Sequence, residues 1–181
     1  MQILDTVYVW DWCRTLGALD EDAVRSRVRP DPSLTHRSQV VFAPNGPTGY
    51  EPAVAASVVD ALGTWDECLL WVTAWGIWPS SEDWPRYYAW RGRQGSRLSL
   101  EAAPGHLATR EDEAEFREVV LQVLENGWDA WLLAARGGKL LPLRIRLSHD
   151  GWALMEASEP VVLNVPGLKT DTAPPHTIFR R

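Results

Sequence analysis

The chain has 181 residues, of which 45% are hydrophobic and 23% are charged, and its formal net charge at pH 7 is −6. These values suit a single folded domain and exclude an extensively disordered chain. The negative charge argues against a general binder of nucleic acid or of anionic membranes. The first residues show neither a basic leader nor a long apolar run, so we expect no membrane contact and a cytoplasmic protein.

The N-terminal region, about residues 1–50, is predicted to be irregular apart from a few short elements. β-Branched and aromatic residues in partial alternation predict a strand over residues 3–10. An aspartate at position 20 and a proline at position 30 predict a short helix over residues 20–28. Residues 40–43 are predicted to form a brief strand.

Six of the eleven tryptophans lie within residues 65–90, and we expect the rest of the molecule to pack around this stretch. Its apolar run over residues 68–75 is typical of a strand covered on both faces or of a buried helix of the same length, and we predict the strand. Ser80 or Ser81 is a suitable cap for a following helix over residues 83–91, because either side chain can accept an N–H bond from the first turn.

Two groups of side chains occupy different sides of the predicted 83–91 helix. Helical spacing places Trp84, Tyr87, Tyr88 and Arg91 on one stripe, and we expect its three aromatic rings to face the core. The second group lies elsewhere on the helix and in the residues just after it, and no acidic residue separates its members. We call this group the basic–aromatic patch, and it comprises Arg86, Trp90, Arg93 and Arg97.

Two further helices carry clear terminal signals. Proline at the first helical position and glycine just past the end predict a short buried helix over residues 52–62. Thr109 and Asp112 approximate a capping box for a helix over residues 110–126, in which apolar residues recur at helical spacing. The opposite side of this helix carries a row that we call the acidic stripe, which comprises Glu111, Glu115, Glu118 and Glu125.

The C-terminal half is predicted to contain a three-stranded meander over residues 128–157, with a hairpin turn signal at Asp150-Gly151. Residues 97–101 are predicted as another strand, followed by a turn at Pro104-Gly105. Prolines mark residues 164–181 as a tail. The predicted fold is one α+β domain over residues 1–181, with a mostly antiparallel sheet covered by the helices at about 52–62, 83–91 and 110–126.

No stretch fits a known catalytic or metal-binding pattern, so we expect neither a cofactor nor a metal. No glycine-rich phosphate loop occurs, and the histidines are scattered singly. Ser148, His149 and Asp150 are neighbours whose side chains point in different directions, so we interpret them as a turn and not as a proton relay. Cys13 and Cys68 are expected to be buried thiols.

Three functional hypotheses follow from these features. The leading one is a non-enzymatic domain that binds another protein, since an acidic stripe steers a basic partner; by analogy, it is an immunity or inhibitor protein that masks a basic toxin or nuclease. The second is a small-ligand binder or enzyme whose cleft joins the basic–aromatic patch to Asp66 and Glu67. The third is a structural subunit of a larger assembly, which would expose an extended apolar surface.

Overall fold

An eight-stranded sheet forms the centre of the fold. The structure, a computed structural model, describes residues 1–21, 27–43, 48–76 and 84–171, without the side chains of Arg27, Trp84 and Asp171. The strands are β1 (Gln2–Leu4), β2 (Leu19–Asp20), β3 (Arg27–Val28), β4 (His36–Val41), β5 (Glu67–Ala74), β6 (Gly105–Thr109), β7 (Asp129–Arg136), β8 (Lys139–Ser148), β9 (Trp152–Ala157) and β10 (Thr170–Asp171). The helices are α1 (Thr6–Thr15), α2 (Glu51–Ala61), α3 (Trp84–Arg93) and α4 (Glu113–Glu125), the last preceded by a 3₁₀ turn (Arg110–Asp112).

The strand order in the sheet is β1-β6-β5-β7-β8-β9-β4-β10, and neighbouring strands are antiparallel. The consecutive strands β7, β8 and β9 form the predicted C-terminal meander. β2 and β3 form a separate two-stranded ribbon. The predicted α+β class, with a mostly antiparallel sheet and a C-terminal meander, is therefore confirmed. None of the helices in the described ranges has the length and apolar character needed to cross a bilayer.

The two faces of the sheet are covered differently. On one side, which we call the helical face, α2, α3 and α4 pack their apolar side chains against alternate residues of the central strands and form the main core. On the other side, which we call the α1 face, a smaller cluster joins α1 and the β2–β3 ribbon to the sheet. Alternation along β5 shows both environments: Cys68 and Leu70 enter the main core, whereas Leu69 and Trp71 enter the smaller cluster. The predicted strand covered on both faces is thus confirmed.

The three covering helices lie where the sequence predicts them. α2 begins with a proline near its first position, as expected. The start of the 3₁₀ turn before α4 is held by the predicted capping box, in which the Asp112 carboxylate accepts from the backbone N–H of Thr109 at 2.9 Å. The predicted helix caps at Ser80 and Ser81 lie outside the described residues.

The predicted strand over residues 3–10 is wrong beyond Leu4. Asp5 caps α1, since its carboxylate accepts from the backbone N–H of Tyr8 at 3.0 Å. Val9 and Cys13, four residues apart, are the residues of α1 that become fully buried. The local cap and this helical spacing therefore outweigh the strand preference of the β-branched residues.

The predicted helix over residues 20–28 is wrong at both of its described ends. Leu19 and Asp20 form β2, and Arg27 and Val28 form β3, with Leu19 opposite Val28. Val28 is buried in the smaller cluster, so its packing against the sheet stabilises the ribbon. The intervening residues 22–26 lie outside the described residues, as do residues 172–181 of the predicted tail.

The strand predicted at residues 97–101 is also wrong, because this segment forms turns and the strand begins at Gly105. Gly105, which predicts a turn together with Pro104, is required instead for the close packing of two elements. A Cβ atom at Gly105 would lie 2.3 Å from Cγ2 of Val9 and 3.0 Å from Cβ of Leu4. The approach of α1 to β6 therefore requires the absence of a side chain at this strand position.

Candidate functional site: the groove between α3 and α4

The orientation of α3 on the sheet differs from the predicted one. Tyr87 faces the core as expected, and Arg91 of the same stripe is 1% exposed, but Tyr88 is 49% exposed. Trp90, which belongs to the other predicted group, lies inward and is 3% exposed. Residues 87, 90 and 91 have the i, i+3 and i+4 spacing of one helical face, so α3 is rotated relative to the predicted stripe. The side chain of Trp84 lies outside the described residues.

Trp90 is enclosed on several sides. Its ring stacks on Tyr87 with a centroid distance of 5.7 Å and lies 5.6 Å from the ring of His106. Its indole Nε1 donates a hydrogen bond to Oε1 of Glu115 on α4 at 2.8 Å. Because the ring is buried, it cannot stack on a sugar or a nucleobase in this conformation. The ligand-stacking role considered for Trp90 is therefore incompatible with its position.

The basic–aromatic patch and the acidic stripe contact each other. Arg86 of α3 pairs with Glu118 at 3.1 Å and with Glu125 at 3.3 Å, both on α4. Glu115 accepts from Trp90 and also from Nε2 of Gln94 at 2.6 Å. The two candidate surfaces therefore form one interhelical contact, in which Glu118 and Glu125 compensate the charge of Arg86.

A groove of about 520 Å³ lies between the two helices. Its walls carry charges of both signs and its lining includes two buried side chains, Trp90 and Gln122. The lining residues are Arg86, Ala89, Trp90, Arg93, Ala114, Glu115, Glu118 and Gln122. Of the acidic stripe, Glu111 and Glu125 do not line the groove, and Arg97 lies on the exposed turn after α3.

Asp66 and Glu67 are directed elsewhere in the structure. Asp66 accepts a hydrogen bond from the backbone N–H of Gly137, in the β7–β8 turn, at 2.7 Å. Glu67 accepts from Nε1 of Trp12, on α1, at 3.1 Å. These carboxylates therefore support the β7–β8 turn and the α1 face, and they do not line the groove beside Arg86.

The contacts across the groove differ in exposure. Arg86 and Glu118 are 44% and 60% exposed at their side chains, and exposed pairs of this kind contribute about 0 to 1 kcal/mol. The Glu115 contact is different, because it provides the acceptor for a buried indole N–H. Glu115 therefore acts chiefly in holding α3 on α4, whereas Glu118 is accessible to a partner.

Substitution of Glu115 by alanine should lower the free energy of unfolding by about 1 to 3 kcal/mol, since the buried N–H of Trp90 loses its acceptor. The matched variant Glu111→Ala removes an exposed carboxylate from the same helix and should change stability by less than about 0.5 kcal/mol. Urea unfolding of both variants measures the difference. Equal losses would show that the Glu115 contact has no special structural role.

The two thiols and the Ser148-His149-Asp150 turn are the groups that the sequence offers for catalysis. Burial raises the pKa of the Cys13 thiol to about 12 and also raises that of Cys68, so both thiols are poor nucleophiles at neutral pH. In the predicted Ser148-His149-Asp150 turn, Ser148 Oγ accepts from the Asp150 backbone N–H, and His149 Nδ1 lies 2.9 Å from Asp129. Within the ranges that the structure covers, no three His, Cys, Asp or Glu side chains are grouped to hold a metal.

The α1 face carries features that the sequence reasoning did not identify as sites. A pocket of about 280 Å³ lies beneath residues 28–34, with Leu133 and Leu140 among its apolar lining residues and Arg144 beside them. Farther along β8, Arg146 lies between two tryptophan rings. The alternation of side chains in β8 places Arg144 and Arg146 on one face, and this is the signal that the sequence contains. Their neighbours come from β7 and β9, so the sequence alone does not identify the site.

Comparisons with known protein families, with curated protein sequences and with solved structures yield no match to this chain.

Proposed function

We propose that the protein is a non-enzymatic domain that binds a basic protein through the outer surface of α3 and α4. Charge supports this proposal. Residues 110–125 contain six carboxylates (Glu111, Asp112, Glu113, Glu115, Glu118 and Glu125) and two arginines (Arg110 and Arg117), a formal charge of −4 within a chain whose net charge is −6. The exposed Arg86 and Arg93 of α3 reduce the formal charge of the combined surface to −2. A surface of this sign accelerates encounter with a cationic partner.

The exposed pair of Arg86 and Glu118 is the observation on which the proposal depends. A lysine or arginine of the partner can replace Arg86 at Glu118 with little loss of stability, because an exposed ion pair is weak. Arg86 can keep its second contact, with Glu125, during this exchange. The groove beside the pair offers space for the incoming side chain.

The biological form that we favour is a cytoplasmic immunity or inhibitor protein that masks a basic toxin or nuclease. An inhibitor of this kind needs fast association and a charge complementary to that of its target. It needs no catalytic group of its own. The product of a gene adjacent to that of this protein is the first partner to test.

The test is to isolate the partner from the host and to measure the association rate at increasing salt concentrations. The rate should fall as salt increases, and the double variant Glu111→Lys, Glu118→Lys should lower it at least about tenfold at low salt. The matched control is Glu101→Lys, Glu159→Lys, which makes the same charge change at exposed positions away from the groove.

An association rate that does not depend on salt would contradict the proposal. Equal losses in the two double variants would also contradict it, since they would show an effect of net charge without a local contact. Circular dichroism of both variants verifies that the fold is retained.

A further inference from the structure

We infer that the α1 face of the sheet carries a binding site for a small oxyanion, a carboxylate or a phosphate, with Arg146 as its principal donor. This site lies on the opposite side of the sheet from the groove between α3 and α4. The inference is therefore independent of the proposed partner binding, and each can fail without the other.

Two tryptophan rings hold the Arg146 guanidinium. Its Cζ lies 5.8 Å from the ring centroid of Trp131 and 5.3 Å from that of Trp152. Strand pairing explains this position, because Trp131 on β7 is directly opposite Arg146, and Trp152 on β9 is opposite Ser148, two residues farther along β8. Cation–π attraction to two rings restricts the guanidinium, which reduces the entropy that it would lose on binding an anion.

Arg146 has no acidic partner or hydrogen-bond acceptor among the described residues, although its side chain is partly exposed. The neighbouring Arg144 on the same face provides the contrast. It donates to Oε2 of Glu156 at 2.7 Å and to the backbone oxygen of Arg29 at 2.6 Å. The planar N–H groups of Arg146 are thus available for the paired oxygens of an oxyanion.

The local charge favours an anion even though the whole protein is acidic. Glu156 already pairs with both Arg144 and Arg37, at 2.7 and 3.0 Å. Asp31, the other carboxylate close to Arg144, accepts hydrogen bonds from Ser33 and also interacts with Arg29. These two carboxylates are therefore engaged with groups other than Arg146.

A second polar group lies on the same face. Arg146 is opposite Leu154, and Leu154 is opposite Gln39 on β4, so the three side chains form a row across the sheet. Gln39 is 4% exposed, and its amide has no hydrogen-bond partner among the described residues. Strand spacing separates Gln39 from Arg146 by roughly 10 Å. Because Leu154 and Gln39 are both buried, Arg146 is the accessible member of this row, and the anion should contact the Arg146 end.

The experiment is an NMR titration of the intact protein at constant ionic strength, in which sodium chloride is replaced by sodium phosphate in one arm and by sodium acetate in the other. The indole N–H signals of Trp131 and Trp152, assigned with single Trp→Phe variants, report on the site. We expect a saturable shift with at least one anion. Saturation by phosphate alone assigns a phosphate ligand, and saturation by acetate alone assigns a carboxylate; saturation by both assigns a site for either oxyanion.

Arg146→Gln should weaken the binding at least tenfold, and Arg97→Gln, with the same change of charge on an exposed turn, should leave it unchanged. Arg146→Lys keeps the charge and removes the planar fork, so it should also weaken binding, and it tests the site if the glutamine variant does not fold. The inference is overturned if neither anion gives a saturable shift, or if the folded Arg146 variant binds as tightly as the Arg97 variant.

Discussion

The free energy of unfolding should fall by about 1.4 kcal/mol for each pH unit as the pH decreases from 6.5, because of one buried imidazole. His106 is fully buried in the core beside Tyr87. Burial, together with the positive charge of Arg91, lowers the pKa of His106 from 6.5 to about 3. In the folded protein its Nδ1–H donates to the backbone oxygen of Leu70 at 3.3 Å, and Nε2 accepts from the Tyr87 hydroxyl.

The direction of this effect follows from proton uptake on unfolding. Between about pH 6.5 and pH 3 the folded protein keeps His106 neutral, whereas the unfolded chain binds a proton there. The stabilising contribution is complete above pH 6.5 and is lost progressively as the pH falls towards 3. The interval from pH 6.5 to about 4.5 is the most informative, since aspartates and glutamates begin to protonate below it.

Urea unfolding at a series of pH values measures this slope. His106→Gln should remove most of it, even if the variant is less stable at every pH. His36→Gln is the matched control, because His36 is exposed and its replacement should leave the slope unchanged. A flat profile for the wild-type protein, or an unchanged slope in His106→Gln, would show that His106 does not determine acid stability.

Gly151→Ala should lower the free energy of unfolding by at least about 3 kcal/mol. Gly151 has a φ of +73°, where a side chain costs about 1 to 2 kcal/mol, and a Cβ there would lie 2.1 Å from the backbone oxygen of Ala43. The two backbones cannot separate without loss, since the Gly151 oxygen accepts from the N–H groups of Phe42 and Ala43 at 2.8 and 3.1 Å. The substitution therefore combines backbone strain with a collision between two fixed segments.

Gly138→Ala provides the matched comparison, because its φ of +71° is nearly the same and nothing lies within 4 Å of an added Cβ. Only the backbone strain applies there, so we expect a loss of about 1 to 2 kcal/mol. Chemical denaturation of both variants gives the difference directly. If the two losses are equal, the close approach of Ala43 contributes nothing to stability.

The elements that local sequence signals predict well have terminal signals that act within a few residues. The capping box of Thr109 and Asp112 and the proline at the start of α2 need no distant partner, so the helices appear where they are predicted. The turn at Asp150-Gly151 is similar, because its backbone conformation suits glycine irrespective of the surrounding fold. Local physics also explains why α1 replaces the predicted strand, since Asp5 was an unused cap signal.

The candidate site could be predicted only in part, because helical periodicity fixes which residues share a stripe but not which stripe turns inward. The sequence predicted Arg86 and Trp90 on one side of α3 and the acidic stripe on α4. Packing then buried Trp90 in place of Tyr88 and placed Glu115 and Glu118 against the same helix. For this reason the basic–aromatic patch and the acidic stripe, which the sequence predicts as separate surfaces, contact each other in the structure.

The sequence by itself determined the α+β class, the covering helices, the meander and the acidic character of α4. Only the tertiary structure decided which charges remain available. Periodicity is a property of one segment, whereas the partner of a side chain depends on which segments meet. The carboxylate of Glu115 accepts from the Trp90 indole and is therefore not free for a partner. The guanidinium of Arg146 remains available because Glu156 pairs with two other arginines. Contacts between elements that are distant in the chain thus decide which charged side chains stabilise the fold and which can bind a partner.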